Sequence, residues 1–234
     1  MASGATIIVL DGDVVVKANG GDRLNLQAEW LTTYASPGVV RVLGAWHGGY
    51  AMERLEPPIE TPRPEEIVAL LKRYVWRHSP VIEPRWENIL GYAELKAKEW
   101  WPEVTDELIK GLQWCQDQTL TRCLVHGDPT IENVMSRFGD LVLIDPIPAT
   151  EYAPDLLAVD LGKVLQSVCG YESVITGGWG HPENRSWLRT FNAAEQVAAK
   201  HFCLYHIVRL LPYLNTDDMR DRVKEIVGGN LRSI

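Results

Sequence analysis

The chain has 234 residues, 46% of them hydrophobic and 23% charged, the balance of a soluble globular protein with material for a full core. A formal charge of −8 without any Lys/Arg run argues against a nucleic-acid surface, which needs clustered cations to neutralise phosphates. Four scattered cysteines, no apolar run of about eighteen residues and an N-terminus without a basic start predict a cytoplasmic chain with buried free thiols and no membrane span.

The first 56 residues read as β-rich. Residues 6–10 and 14–18 are β-branched runs joined by Asp11-Gly12-Asp13, a good hairpin turn. A helix is predicted over 24–34, then a second strand pair, 39–43 and 49–53, around Trp46-His47-Gly48. The character changes at Pro57-Pro58. Beyond it, Pro64 can begin a helix in which Ile67, Leu70, Leu71, Tyr74 and Val75 recur at helical spacing. Further helices are predicted over 84–100, 105–119, 154–168, 186–214 and 217–227, with short strands at 123–125 and 141–144 and an exposed loop at 176–184. The whole is an α+β arrangement, a small β-rich part (1–56) and a larger helical part (57–234), with a cleft between them as the natural ligand site.

The chemistry concentrates in residues 124–145, LVHGDPTIENVMSRFGDLVLID. An apolar strand runs into His126-Gly127-Asp128. Asn133 follows after four intervening residues, and a short strand, a Gly139-Asp140 turn and a second apolar strand lead to Asp145. Strands joined by a turn place their ends side by side, so Asp128, Asn133 and Asp145 can converge on one point. Phosphoryl transfer needs such a group: one carboxylate to receive the proton of the attacking hydroxyl, and a second carboxylate with an amide oxygen to hold Mg²⁺ against phosphate oxygens. As a mere turn with two caps, the match to four fixed residues would arise by chance in roughly one chain in several hundred.

His-Gly-Asp with Asn133 in step and Ile-Asp at the second strand end resembles aminoglycoside phosphotransferases and their choline-, homoserine- and fructosamine-kinase relatives. The resemblance implies a bilobal protein-kinase-like fold, with 1–56 as nucleotide-binding lobe and 57–234 as catalytic and substrate lobe. It implies that Asp128 is the catalytic base, that Asn133 and Asp145 bind Mg²⁺, and that His126 braces the loop. In the helix that follows, Asp160 is the preferred partner of the catalytic loop; Asp155, just after Pro154, suits a helix first turn instead. Lys17 ends a strand as the kinase lysine does, and Glu29, twelve residues on, would orient it. Residues 50–55, YAMERL, resemble the last strand running into the hinge: the backbone of 53–55 would bond the adenine edge, and Met52 and Leu55 would sandwich the ring, with Glu53 between them.

Two departures from the family pattern stand out. Few residues precede the strand at Thr6, and Gly4, Gly20 and Gly21 form no glycine-rich phosphate loop, so phosphate binding is expected to lean on Lys17 and the metal. Pro146 after Asp145 stiffens that segment and disfavours an in/out flip of the carboxylate. About nine residues separate Asp145 from the next helix, too few for a peptide-docking activation segment, so the expected acceptor is a small-molecule hydroxyl. The region 86–101 and the 176–187 loop are candidate walls for it, although core packing is the first reading for the tryptophans, and Glu132 and Glu151 are available for a cationic acceptor. The expected activity is transfer of the γ-phosphate of ATP or GTP with Mg²⁺. The alternatives are a nucleotide-binding pseudokinase and a kinase acting on a protein partner.

Overall fold

The computed structural model describes residues 5–10, 13–176 and 185–232. Strands β1 (Thr6–Val9) and β2 (Val14–Ala18) form the predicted hairpin, with Ile7 opposite Lys17. Helix α1 (Asp22–Thr33) follows, then β3 (Val42–Trp46) and β4 (Gly49–Glu53). These strands make one antiparallel sheet in the order β1-β2-β4-β3, so the strand bearing Lys17 lies inside it.

The expected strand at 39–43 begins later, at Val42, and a bulge interrupts its register between Val42 and Gly44. Val39 and Val40 are spent elsewhere. They run beside the last strand of the chain, where Val40 N–H donates to the Leu143 carbonyl at 3.0 Å and Leu143 N–H donates to Gly38 at 2.9 Å. This seam locks the sheet to the rest of the molecule.

Helix α2 (Pro64–Tyr74) starts where Pro64 needs no donor partner and the Glu66 carboxylate accepts from Arg63 N–H. It is followed by α3 (Trp86–Trp100) and α4 (Thr105–Gln116), which lie against each other. After the loop described below come the hairpin strands β5 (Val134–Arg137) and β6 (Asp140–Leu143). Positive φ at both Phe138 (53°) and Gly139 (94°) gives a turn whose twist suits a two-residue hairpin. Helices α5 (Leu157–Val168), α6 (Tyr171–Thr176), α7 (Ala193–Leu210) and α8 (Asp217–Arg232) complete the chain.

Every residue of α5 is buried, and it packs along α7 so closely that a Cβ on Gly162 would come within 2.8 Å of the Cys203 nitrogen. Burying each of Leu161, Val164, Leu165 and Val168 contributes about 1.5–3 kcal/mol, so the core fixes the position of the charged Asp160 and Lys163 on the same helix. The 186–214 segment is not one helix. A 3₁₀ stretch at Ser186–Thr190 ends before α7, which Asn192 caps by accepting from Glu195 N–H, and Pro212 sits in a second short 3₁₀ turn. All four cysteines are free and buried. Among the described residues no helix is long and apolar enough to cross a membrane.

Candidate active site

The segment between α4 and β5 has no sheet partner, so its backbone donors need side-chain acceptors. Two fully buried carboxylates supply them. Asp155 accepts from Val125 N–H at 3.0 Å through one oxygen and from Val81 and Ile82 N–H at 2.7 and 2.8 Å through the other. Asp160 accepts from Gly127 N–H at 2.7 Å, His126 N–H at 2.9 Å and the Trp76 indole at 2.8 Å. These bonds explain why residues 123–125 form no strand: their donors are taken by Asp155 and by the His78 carbonyl instead. Burial pushes the Asp160 carboxyl up to about 6, opposed by the donors of Trp76, His126 and Gly127.

His126 is fully buried and packs edge-on against Trp30, ring centroids 5.7 Å apart. It holds the loop by packing and by its carbonyl, which accepts from Ile147 N–H at 2.8 Å. Burial pulls the imidazole down to about 4 against the charges of Asp128 and Asp145, and the ring stays neutral at physiological pH.

Gly127, at φ 79°, turns the chain so that Asp128 emerges into the cleft. The Asp128 carboxylate accepts from Asn133 Nδ2 at 2.9 Å and from Lys163 Nζ at 3.0 Å. Burial alone would raise this carboxyl, but Lys163, His126 and the Asn133 amide outweigh it and hold it below its ordinary range. Ile144 N–H donates to the Asn133 carbonyl at 2.9 Å, bringing the end of β6 beside the loop. Asp145 follows in the left-handed region (φ 57°) and forms an ion pair with Lys17, which is only 6% exposed. Lys17, Asp128, Asn133 and Asp145 thus line one cavity of about 270 Å³.

Among the described residues no cluster of three or more His, Cys, Asp or Glu is suited to a metal. The donor set here is different. Asn133 turns its amide nitrogen to Asp128, leaving its oxygen for the other side, and Asp145 adds a carboxylate. Two hard oxygen donors on a phosphate-sized cavity fit Mg²⁺, which keeps several waters and takes its remaining ligands from substrate phosphates.

Some expected site residues lie elsewhere. Glu29 is exposed, on the outer face of α1, and makes no ion pair with Lys17. From α1 it is Arg23 and Gln27 that reach the cavity; Gln27 is buried and its amide donates to the Pro146 carbonyl at 2.9 Å. The buried stripe Leu24, Gln27, Ala28, Leu31 follows i, i+3, i+4, i+7, a signal that puts Glu29 off the packed face.

The hinge expectation also changes. Met52 is packed in the core at 7% exposure, and the Glu53 carboxylate is engaged by Arg137 and by Arg41 N–H. Glu53 N–H donates to Arg41 and Arg54 N–H to Asp13, because β4 lies between β2 and β3 and spends its peptide groups on them. Leu55 alone of the three positions keeps an N–H that donates to no described group, and none of Met52, Glu53 and Leu55 lines the cavity holding Lys17. Lys163 carried no assigned role, although its place three residues after Asp160 puts it one turn along the same face.

The expected acceptor walls separate as well. Trp101 is buried against α8, and Trp86 is partly buried against the core beside Phe202, as the core reading of the tryptophans expects. Glu151 accepts from Asn88 at 2.6 Å and lies 3.9 Å from Arg85, and Glu132 stays on the cavity rim. Residues 177–184 of the loop lie outside the described residues.

No protein-family model matches the sequence, and no curated protein matches it. Solved structures do match. A choline kinase from Streptococcus pneumoniae superposes with a TM-score of 0.65 over 100% of this chain and 91% of that one, at 14% identity. The GDP complex of aminoglycoside 2'-phosphotransferase-IIIa gives 0.60 over 98% and 89%, also at 14% identity. An ethanolamine kinase from Plasmodium vivax gives 0.58 over 100% and 82%, at 13% identity. At such identities the likeness is one of fold: a small antiparallel sheet on a mainly helical body, shared along the whole chain.

Proposed function

We propose that this chain, which has the fold of those small-molecule kinases, transfers the γ-phosphate of ATP or GTP to the hydroxyl of a small molecule. The observation that carries the reading is the convergence of Lys17, Asp128, Asn133 and Asp145 on one cavity from sites up to 128 positions apart.

In this reading Asn133 and Asp145 hold Mg²⁺, which supplies charge neutralisation on the phosphates when bound. Lys17 leaves Asp145 to meet the phosphate oxygens. Asp128 orients the acceptor hydroxyl; the hydroxyl oxygen bonds to the γ-phosphorus, the nucleoside diphosphate leaves, and the proton passes to Asp128. A carboxylate held at low pKa by Lys163 is a weak base, so its main contribution is positioning, as a loose phosphoryl-transfer transition state requires. Asp160 and His126 act on the loop rather than on substrate, and Leu55 N–H is the hinge donor left for the adenine edge.

The test is release of nucleoside diphosphate with ATP or GTP, Mg²⁺ and a panel of hydroxyl compounds. Asp128→Asn should lower turnover by about a hundredfold or more while leaving nucleotide binding intact. Turnover unchanged in that variant would overturn the reading.

A further inference from the structure

A second cavity of about 200 Å³ adjoins the first and shares Arg23, Ile147, Lys163 and Leu210 with it. It opens beside Gly127, the residue before Asp128. Three cations from three helices line it: Arg23 of α1, Lys163 of α5 and Arg209 of α7. No Asp or Glu does.

The charges are poorly compensated. Lys163 shares Asp128, but Arg23 and Arg209 form no ion pair with any described carboxylate, and the Arg209 guanidinium rests over the Tyr205 and Tyr92 rings, 5.2 and 5.9 Å from their centroids. A guanidinium stacked in this way keeps its in-plane donors available for an oxyanion. The two carboxylates that could have received a cation are not here: Glu151 is held by Asn88 and Arg85, and Glu132 lines only the first cavity.

A neutral acceptor stands among these cations. His206 lines the cavity at 2% exposure, with Nε2 3.0 Å from the Val159 carbonyl. A carbonyl only accepts, so Nε2 carries the hydrogen and Nδ1 presents a lone pair, which is buried without a partner. Burial, reinforced by the charges of Lys163 and Arg209, holds this imidazole well below its ordinary range, so it remains an acceptor. A buried lone pair calls for a donor.

We propose that the acceptor is an anionic hydroxyl compound, its carboxylate or phosphate group bound by Arg23, Lys163 and Arg209 and a hydroxyl donated to Nδ1 of His206. This deepens the kinase reading and, for the transfer step, rests on it. It replaces the cationic acceptor for which Glu132 and Glu151 were available. Lys163 then joins the two halves of the site, touching Asp128 on one side and the acceptor's anionic group on the other, so only a correctly seated anion leaves the hydroxyl beside Asp128.

The test has a binding arm and a transfer arm. In the first, gluconate, D-glycerate, glycerol 3-phosphate and inorganic phosphate are titrated against the full chain without nucleotide, with choline and ethanolamine as controls, and melting temperature is read. The anions should stabilise the wild type, the cations should not, and Arg209→Gln or Arg23→Gln should weaken the anion effect by about tenfold or more in apparent Kd. In the second, the same compounds are offered with Mg²⁺ and ATP or GTP; KM for the organic anions should rise in Arg209→Gln, which lines only the second cavity, while KM for the nucleotide holds. Anion binding without transfer would keep this site and sink the kinase reading. Transfer to choline or ethanolamine but not to anions would keep the kinase reading and sink this proposal, as would no anion-dependent stabilisation.

Discussion

Lys17 and Asp145 lie 128 positions apart and form an ion pair across the cleft. Each occupies the group that a metal-bound nucleotide would need from the other. Breaking this pair is therefore part of binding. Asp145→Asn should leave nucleotide binding measurable but independent of Mg²⁺, because Lys17 is then released while a metal ligand is lost. Melting temperatures with ATP and GTP, with and without Mg²⁺, check this, and turnover should fall by about a hundredfold or more.

Gln27 and Glu29 of α1 should behave oppositely to a reading based on charge alone. Gln27→Ala removes the bond to the Pro146 carbonyl and loosens the segment that carries Asp145, so kcat/KM should fall about tenfold. Glu29→Ala, on the exposed face, should change it by less than about twofold. Steady-state kinetics of the two variants side by side decide the matter.

Gly127 and Gly139 both have positive φ, yet only one is crowded. A Cβ on Gly127 would collide with the Ile147 carbonyl, whereas nothing lies within 4 Å of the corresponding point on Gly139. Gly139→Ala should cost about 1 kcal/mol, the backbone strain alone. Gly127→Ala should cost at least about 2 kcal/mol more and abolish turnover, because the loop must shift to relieve the clash. Urea unfolding of both proteins separates strain from collision.

The buried His126 makes stability depend on pH with a definite sign. Its folded pKa, about 4, lies below the ordinary 6.5, so unfolding takes up a proton between those values. Its contribution is intact above pH 6.5 and is lost as pH falls toward 4. His126→Phe removes this group while keeping a ring against Trp30. The stability of the variant relative to wild type should therefore rise by about 2–3 kcal/mol from pH 7 to pH 4.5. His206, lowered in the same sense, is present in both proteins and cancels in the difference.

Much of this site was legible in the chain because its signals are local. The HGD run, Asn133 and Asp145 flank a single hairpin, and the bounds of β2 follow from a β-branched run and those of β4 from the turn at Trp46-His47-Gly48 before it. What escaped depends on partners distant in sequence. Residues 123–125 look like a strand until Asp155 takes the Val125 donor. Glu53 looks like a hinge residue until Arg137, 84 positions on, claims its carboxylate. Choosing Gln27 over Glu29 needs the packed face of α1, and the charge of the acceptor cavity needs Arg23, Lys163 and Arg209 brought together from three helices.

The carboxylates of Asp155 and Asp160 have a consequence for how the molecule can move. A connecting segment normally owes its mobility to donors shared with water. Here three successive amides, those of Val125, His126 and Gly127, are tied to side chains whose own positions are set by the helical core. The segment opens only when that core opens, so it belongs to the same cooperative unit despite its irregular shape. Any adjustment around a ligand therefore has to come from other walls of the cavity and not from this floor.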